Sequence, residues 1–170
     1  LIRNWFRQQL GKPEMFNVNY EKVRSLRYGE NPHQKAAFFR NLEKTTASVT
    51  NARVLHGKEL SFNNIVDANS ALELVREFAR PAAAFIKHNN PCGAACADTI
   101  ERAFDYSFRV DTQSAFGSVV ALNRPLTMEI AQYIKKQKIF IEVIICPGFA
   151  PDALRILSEK PNIRLLETGQ

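Results

Sequence analysis

Cysteine is scarce in this sequence, and the shortage excludes a disulfide scaffold. Cys92, Cys96 and Cys146 are the only three and cannot all pair with one another, so a reducing, cytoplasmic setting fits best. Long apolar runs are absent too. No stretch approaches the roughly 18 residues that a membrane span needs, and the start, Leu1-Ile2-Arg3-Asn4-Trp5-Phe6, has no signal-peptide pattern. The chain opens on Leu1 rather than Met, which reads as a piece of a longer protein. No P-loop, G-x-G-x-x-G or G-x-S-x-G occurs, which removes the common phosphate-cradle and nucleophile-elbow signatures. Blocks of like charge are missing as well. The net charge of +6 is scattered along the chain, a pattern that suits a phosphorylated small molecule or an anionic cofactor better than nucleic acid.

What remains is the composition of a globular domain, long enough at 170 residues to bury its own core. A short helix over 1–10 is closed by Gly11 and Pro13, and a strand is expected within 16–26. Residues 27–34 form a loop; 36–40 and 52–56 are extended. The spacing of Ile65, Ala68, Leu72, Val75 and Ala79 predicts a helix from Ser61 to Arg80. A buried strand (82–86) leads into a polar loop (87–93). Asp98, with Glu101 three residues on, predicts the cap of a second helix. Strands at 119–122, 140–145 and 163–166 then alternate with helices from Thr127 to about Lys138 and from Pro151 to Lys160. Alternation of this kind means an α/β layered domain with partly parallel pairing, whose ligand loops follow the strands.

Lys87 and His88 directly follow a predicted strand. If both are partly desolvated, the Lys charge disfavours imidazolium, leaving a neutral base beside a cation. The plainer reading is a surface Lys next to a turn His. Arg27 and Tyr28 offer a guanidinium fork and an aromatic hydroxyl, or simply a solvated turn. Asn64 sits in Ser61-Phe62-Asn63-Asn64, where helix capping alone would account for the polar residues. Gly117 ends Ser114-Ala115-Phe116-Gly117 and permits close approach of a ligand to the backbone. Glu142 interrupts an apolar strand, so it faces solvent or accepts from buried donors. Cys92 and Cys96 are spaced C-x3-C, not the C-x-x-C of zinc deaminases. His-x-Glu is also absent, since Lys35, Lys58 and Asn90 stand second after His33, His56 and His88. No metal site is expected, and the thiols are expected to be buried and unreactive.

Five segments occur in order: Leu26-Arg27-Tyr28-Gly29-Glu30-Asn31-Pro32-His33-Gln34, Ser61-Phe62-Asn63-Asn64-Ile65, Lys87-His88-Asn89-Asn90-Pro91-Cys92-Gly93, Ser114-Ala115-Phe116-Gly117 and Glu142-Val143-Ile144-Ile145-Cys146-Pro147. Together they resemble the family of 5-aminoimidazole-4-carboxamide ribonucleotide (AICAR) formyltransferases. The resemblance implies a three-layer α/β/α domain of cytidine-deaminase-like fold over 21–170, the first of two in the formyltransferase unit. Residues 1–20 would then be a linker from a cyclohydrolase domain missing here. It further implies His88 as general base, Lys87 as its cationic partner, and AICAR contacts from Arg27, Tyr28, Gly117, Glu142 and Asn64. The co-substrate would be 10-formyltetrahydrofolate, with no catalytic metal, in a homodimer. A non-catalytic AICAR-binding or assembly domain and a zinc nucleoside deaminase are the alternatives.

Overall fold

The computed structural model describes residues 5, 9–11, 18–42 and 47–169. The expected helix over 1–10 and the first residues of the expected 16–26 strand lie largely outside them. Strands β1 (Tyr20–Leu26) and β2 (Ala36–Asn41) form an antiparallel ribbon. The remaining strands are β3 (Arg53–His56), β4 (Ala82–Lys87), β5 (Asn90–Cys96), β6 (Ser118–Leu122), β7 (Ile141–Cys146) and β8 (Arg164–Glu167). They make one six-stranded sheet in the order β3-β8-β7-β6-β4-β5. The β6–β7 and β7–β8 pairs are parallel and the other three antiparallel.

Helix α1 (Phe62–Arg76) covers one face of the sheet. Helices α2 (Ile100–Val110), α3 (Met128–Lys136) and α4 (Pro151–Ser158) cover the other. Strand alternation explains both layers. Ala84, Ile86, Val119, Ala121, Val143 and Ile145 pack with Ala68, Ala71, Leu72 and Val75 of α1. Their neighbours Ala83, Phe85, Val120, Leu122, Ile144 and Cys146 pack with Ala103, Phe104, Ile130, Ala131, Ala153 and Leu157. Phe85 is fully buried, its ring 5.2 Å from Phe104 and 5.8 Å from Phe108. This is the three-layer α/β arrangement the sequence implies.

Four local expectations are corrected. First, the polar run after Lys87 is not a loop. His88 and Asn89 make a two-residue turn, and Asn90–Cys96 returns as edge strand β5. Pro91 is tolerated there because an edge strand leaves one side without ladder bonds. Second, α1 stops at Arg76, and Ala79 is exposed rather than part of the buried stripe. Past Arg76 the ladder tightens to three-residue turns, Glu77 and Phe78 N–H donating to Leu74 and Val75 O at 3.3 and 3.4 Å, and side chains take the carbonyls of the segment that follows. Asn123 Nδ2 donates to Val75, Phe78 and Arg80 oxygens at 3.2, 2.9 and 2.8 Å, and Arg124 donates to Ala79 O at 2.7 Å. Third, Thr99 and not Asp98 caps α2. Its hydroxyl accepts from the Arg102 N–H at 3.3 Å, while Asp98 is drawn to Arg80 at 2.6 Å. Fourth, Thr127 occupies the N-cap of α3 but makes no side-chain cap bond.

Candidate active site

The site lies at the carboxyl end of β4 and the amino ends of β6, β7 and β8. Because β4 runs antiparallel to β6, Ile86 pairs with Val119 and Lys87 reaches the segment that enters β6. Of the segments that gather here, the Lys87 turn follows its strand as expected, while those at β6, β7 and β8 precede theirs.

Four separate segments meet there. Lys87 Nζ donates to Phe116 O at 2.8 Å. An ammonium has three donors, so two remain for a ligand. The loop before β6 is set by Asp111, whose carboxylate accepts from the Ser114 hydroxyl at 2.6 Å and from the Ser114 and Gln113 N–H groups at 2.9 and 3.1 Å. The Ser114 hydroxyl and N–H hold the Asp111 carboxyl below the usual carboxylate range. Gly117 follows at φ +74, a left-handed conformation that a Cβ would strain. Its N–H donates to Phe140 O at 2.8 Å. Phe116 is exposed, its ring centroid 5.0 Å from that of Phe140.

Glu142 stands where β7 slips register against β6: Ser118 pairs with Ile141 and Val119 with Val143, leaving Glu142 between them. The bulge re-aims its side chain, which is why an acid survives inside an apolar strand. Its Oε2 accepts from Asn64 Nδ2 at 2.9 Å, and its Oε1 lies 4.0 Å from where a Gly117 Cβ would be. Of the two readings left open by the sequence, the acceptor is the one observed. Asn64 serves two purposes. It is buried, and it completes a capping box in which Ser61 Oγ accepts from the Asn64 N–H at 3.1 Å and Asn64 Oδ1 from the Ser61 N–H at 3.3 Å.

Ser61 also borders a groove of about 510 Å³ that holds Arg27 and Tyr28, with Lys58 and Arg164 beside them. Arg27 is exposed and lies 6.0 Å from the Tyr28 ring centroid. The loop carrying them is closed by Gln34, which takes the Gly29 N–H on its carbonyl at 2.9 Å and the Asn31 N–H on its side chain at 2.9 Å. Sequence reading missed Lys58 and Arg164, which no motif marks and which only the folded chain brings to the groove of Arg27.

His88 is exposed at the turn tip with φ +52, and among the described residues its ring makes no hydrogen bond. The desolvation premise for the Lys-His pair is therefore not met within this chain. His56 has a backbone partner, Lys160 O at 3.1 Å from Nε2. Among the described residues no three His, Cys, Asp or Glu side chains gather as metal ligands would. Cys92 and Cys96 share strand β5, where four residues of extended chain span about 13 Å. Cys146 is buried as expected, but Cys92 and Cys96 are only half-buried. No described helix is long and apolar enough to cross a membrane.

These features define a class: a three-layer α/β domain that gathers a cation, a carboxylate and a basic groove at one sheet end. The chain belongs to the AICARFT/IMPCHase bienzyme family, whose model matches residues 1–170. It is 47% identical over 169 residues to the bifunctional purine biosynthesis protein PurH of Oceanobacillus iheyensis, covering 98% of this chain and 33% of that protein. Against the PurH of Bacillus subtilis it is 47% identical over 168 residues, with 98% and 32% covered. For Halalkalibacterium halodurans PurH the figures are 50% over 154 residues, 91% and 30%. The chain thus spans about a third of the length of the curated relatives it matches.

Proposed function

We propose that this chain is the AICAR-holding part of an AICAR formyltransferase of purine biosynthesis, the first cytidine-deaminase-like domain of that unit. The reading rests on one observation. Lys87, the turn at His88, Gly117, Glu142 and Asn64, far apart in sequence, converge at one end of the sheet. The 5-amino group of AICAR is a weak nucleophile because its lone pair is conjugated with the ring and carboxamide. It attacks the formyl carbon of 10-formyltetrahydrofolate. His88 takes a proton as that bond forms, and the remaining Lys87 donors offset charge on the tetrahedral oxygen or assist N10 in leaving. Arg27, with Lys58 and Arg164 nearby, suits the phosphate. Glu142, with lone pairs left over beyond Asn64, suits substrate N–H or O–H groups.

The folate side of the site, a homodimeric assembly, the independence from metal and a cytoplasmic location belong to the same proposal, with the longer protein supplying what this third does not. In the intact protein, His88→Ala should lower turnover at least about a hundredfold while AICAR binding weakens far less. Near-normal turnover would remove His88 from the mechanism. The isolated chain should not turn over, because half a bimolecular site forfeits most of the benefit of positioning. Robust formyl transfer by it would place the folate site within these residues. About one zinc per chain after chelator dialysis would reopen the deaminase alternative.

A further inference from the structure

Helix α1 contributes more to this end of the molecule than Asn64. Ser61, Asn64, Asp67 and Ser70 follow one another at intervals of three, along one of the ridges of the helix surface. Asn64 holds Glu142. Asp67 Oδ1 accepts from the Asn89 N–H at 2.7 Å, and the Ser70 hydroxyl donates to Asn89 Oδ1. One helix therefore grips both the strand that carries Glu142 and the turn that carries His88. The two gripping residues are about 4.5 Å apart along its axis.

We infer that Asp67 is a positioning residue for His88: through the Asn89 N–H it fixes the tight turn that aims the imidazole, without touching a reacting atom itself. The inference rests on reading His88 as the base. His88 and Asn89 have φ of +52 and +61, the double left-handed signature of a type I′ hairpin turn. Asn tolerates that conformation; His, with a larger side chain, does so less readily. Such a turn persists only where its surroundings over-determine it. Its remaining bonds stay within the hairpin: Lys87 pairs with Asn90, and Asn90 Nδ2 donates to His88 O at 2.9 Å. The hairpin's second strand is the outermost strand of the sheet, so these local bonds do not stop the tip from rocking. Among the described residues, the hydrogen bonds that tie the tip to another element come from Asp67 and Ser70. That from Asp67 is short and charge-assisted, and it satisfies a turn N–H that has no place in the ladder.

The test uses the intact protein with Asp67→Ala, Asp67→Asn, His88→Ala and the Asp67→Ala/His88→Ala double variant. Asp67→Ala is expected to lower kcat on the order of ten- to a hundredfold, as small misplacements of a reacting group do. The KM for AICAR should change by less than about threefold. Asp67→Asn keeps an oxygen for the same N–H and should recover most of the loss. On the His88→Ala background, Asp67→Ala should cost nothing further, because its effect is spent through His88. Amide exchange over 87–93 should quicken in Asp67→Ala and not in Asp67→Asn. If Asp67→Ala does not fold, Asp67→Glu replaces it, keeping the charge but displacing the acceptor by one methylene. Unchanged kcat in Asp67→Ala, an undiminished loss on the His88→Ala background, or an equal loss in Asp67→Asn overturns the inference. Full activity in His88→Ala is a separate outcome that overturns the general-base reading and this inference with it.

Discussion

The two ends of strand β4 both gather polar side chains and leave them in opposite states. At its amino end Asn123 is bonded through both its amide oxygen and its amide nitrogen. Its Oδ1 accepts from the Ala82 N–H at 2.7 Å and its Nδ2 donates to three carbonyls at the end of α1. At its carboxyl end Lys87 uses one donor, Glu142 is held through one oxygen, and the His88 ring has no partner among the described residues. A heavily bonded polar cluster locks elements together; one with spare donors and acceptors has capacity for water or a ligand. Unspent hydrogen-bonding capacity, rather than polarity alone, is what separates the proposed site from the other end.

The largest expected effect lies at the saturated end. Asn123→Ala removes a hub for four backbone groups and should cost about 2–4 kcal/mol of stability, since each stranded group loses a bond and cannot all be rehydrated. A lowered denaturant midpoint with unchanged slope would show it. In the intact protein, AICAR affinity per folded molecule should stay the same. A lost affinity would mean that this end also serves the ligand, and the contrast would fail.

A smaller effect of opposite kind is expected at the other end. Glu142→Gln keeps an oxygen for Asn64 Nδ2, so stability should change by no more than about 0.5 kcal/mol. The lost carboxylate should weaken AICAR binding by about tenfold, the scale of one charge-assisted hydrogen bond. Calorimetric titration of the intact protein reads both numbers. A large stability loss with intact affinity would reassign Glu142 to the fold.

The sequence made the layers legible because apolar spacing reports burial. The stripe Ala68, Leu72 and Val75 is buried as its periodicity implies, and strands β4, β6 and β7 lie where short apolar runs placed them. It misled wherever a distant residue decides a local outcome. Periodicity carries α1 on to Arg80, but the helix stops at Arg76, and the carbonyls of Phe78 and Arg80 beyond it bond to Asn123, far along the chain. Pro91 and Gly93 look like loop punctuation, yet they sit in an edge strand. Gly93 is there because a Cβ would stand 2.0 Å from Ser107 O of α2. The site shows the same division. Lys87, Gly117, Glu142 and Asn64 could be picked out singly by their residue type and setting. Their mutual contacts, and the part of Asp67, follow from sheet order and helix placement, which no local signal encodes.

The smallest effect concerns two thiols that report on the two ends. Cys146 closes β7 at the end away from the site, fully buried, with its Sγ donating to Gly148 O at 3.0 Å. Burial pushes its thiol up to about 12. Cys92 lies three residues past the turn, at the bulge between β4 and β5, half-buried, with its Sγ donating to Phe85 O at 3.4 Å. Burial raises this thiol too. Only a thiolate alkylates, so both should react slowly at pH 8 and faster as pH rises. They differ in access. Reaching Cys146 requires opening the core between α3, α4 and the sheet, whereas reaching Cys92 requires only that edge strand β5 part from β4. Cys92 should therefore be modified at least about tenfold faster than Cys146 in the native protein, with the two rates converging in denaturant. Peptide mass spectrometry after timed alkylation measures both. The reverse order would mean that the saturated end opens more readily than the end where the ligand is proposed to bind, and hydrogen-bond satisfaction would not be what separates them.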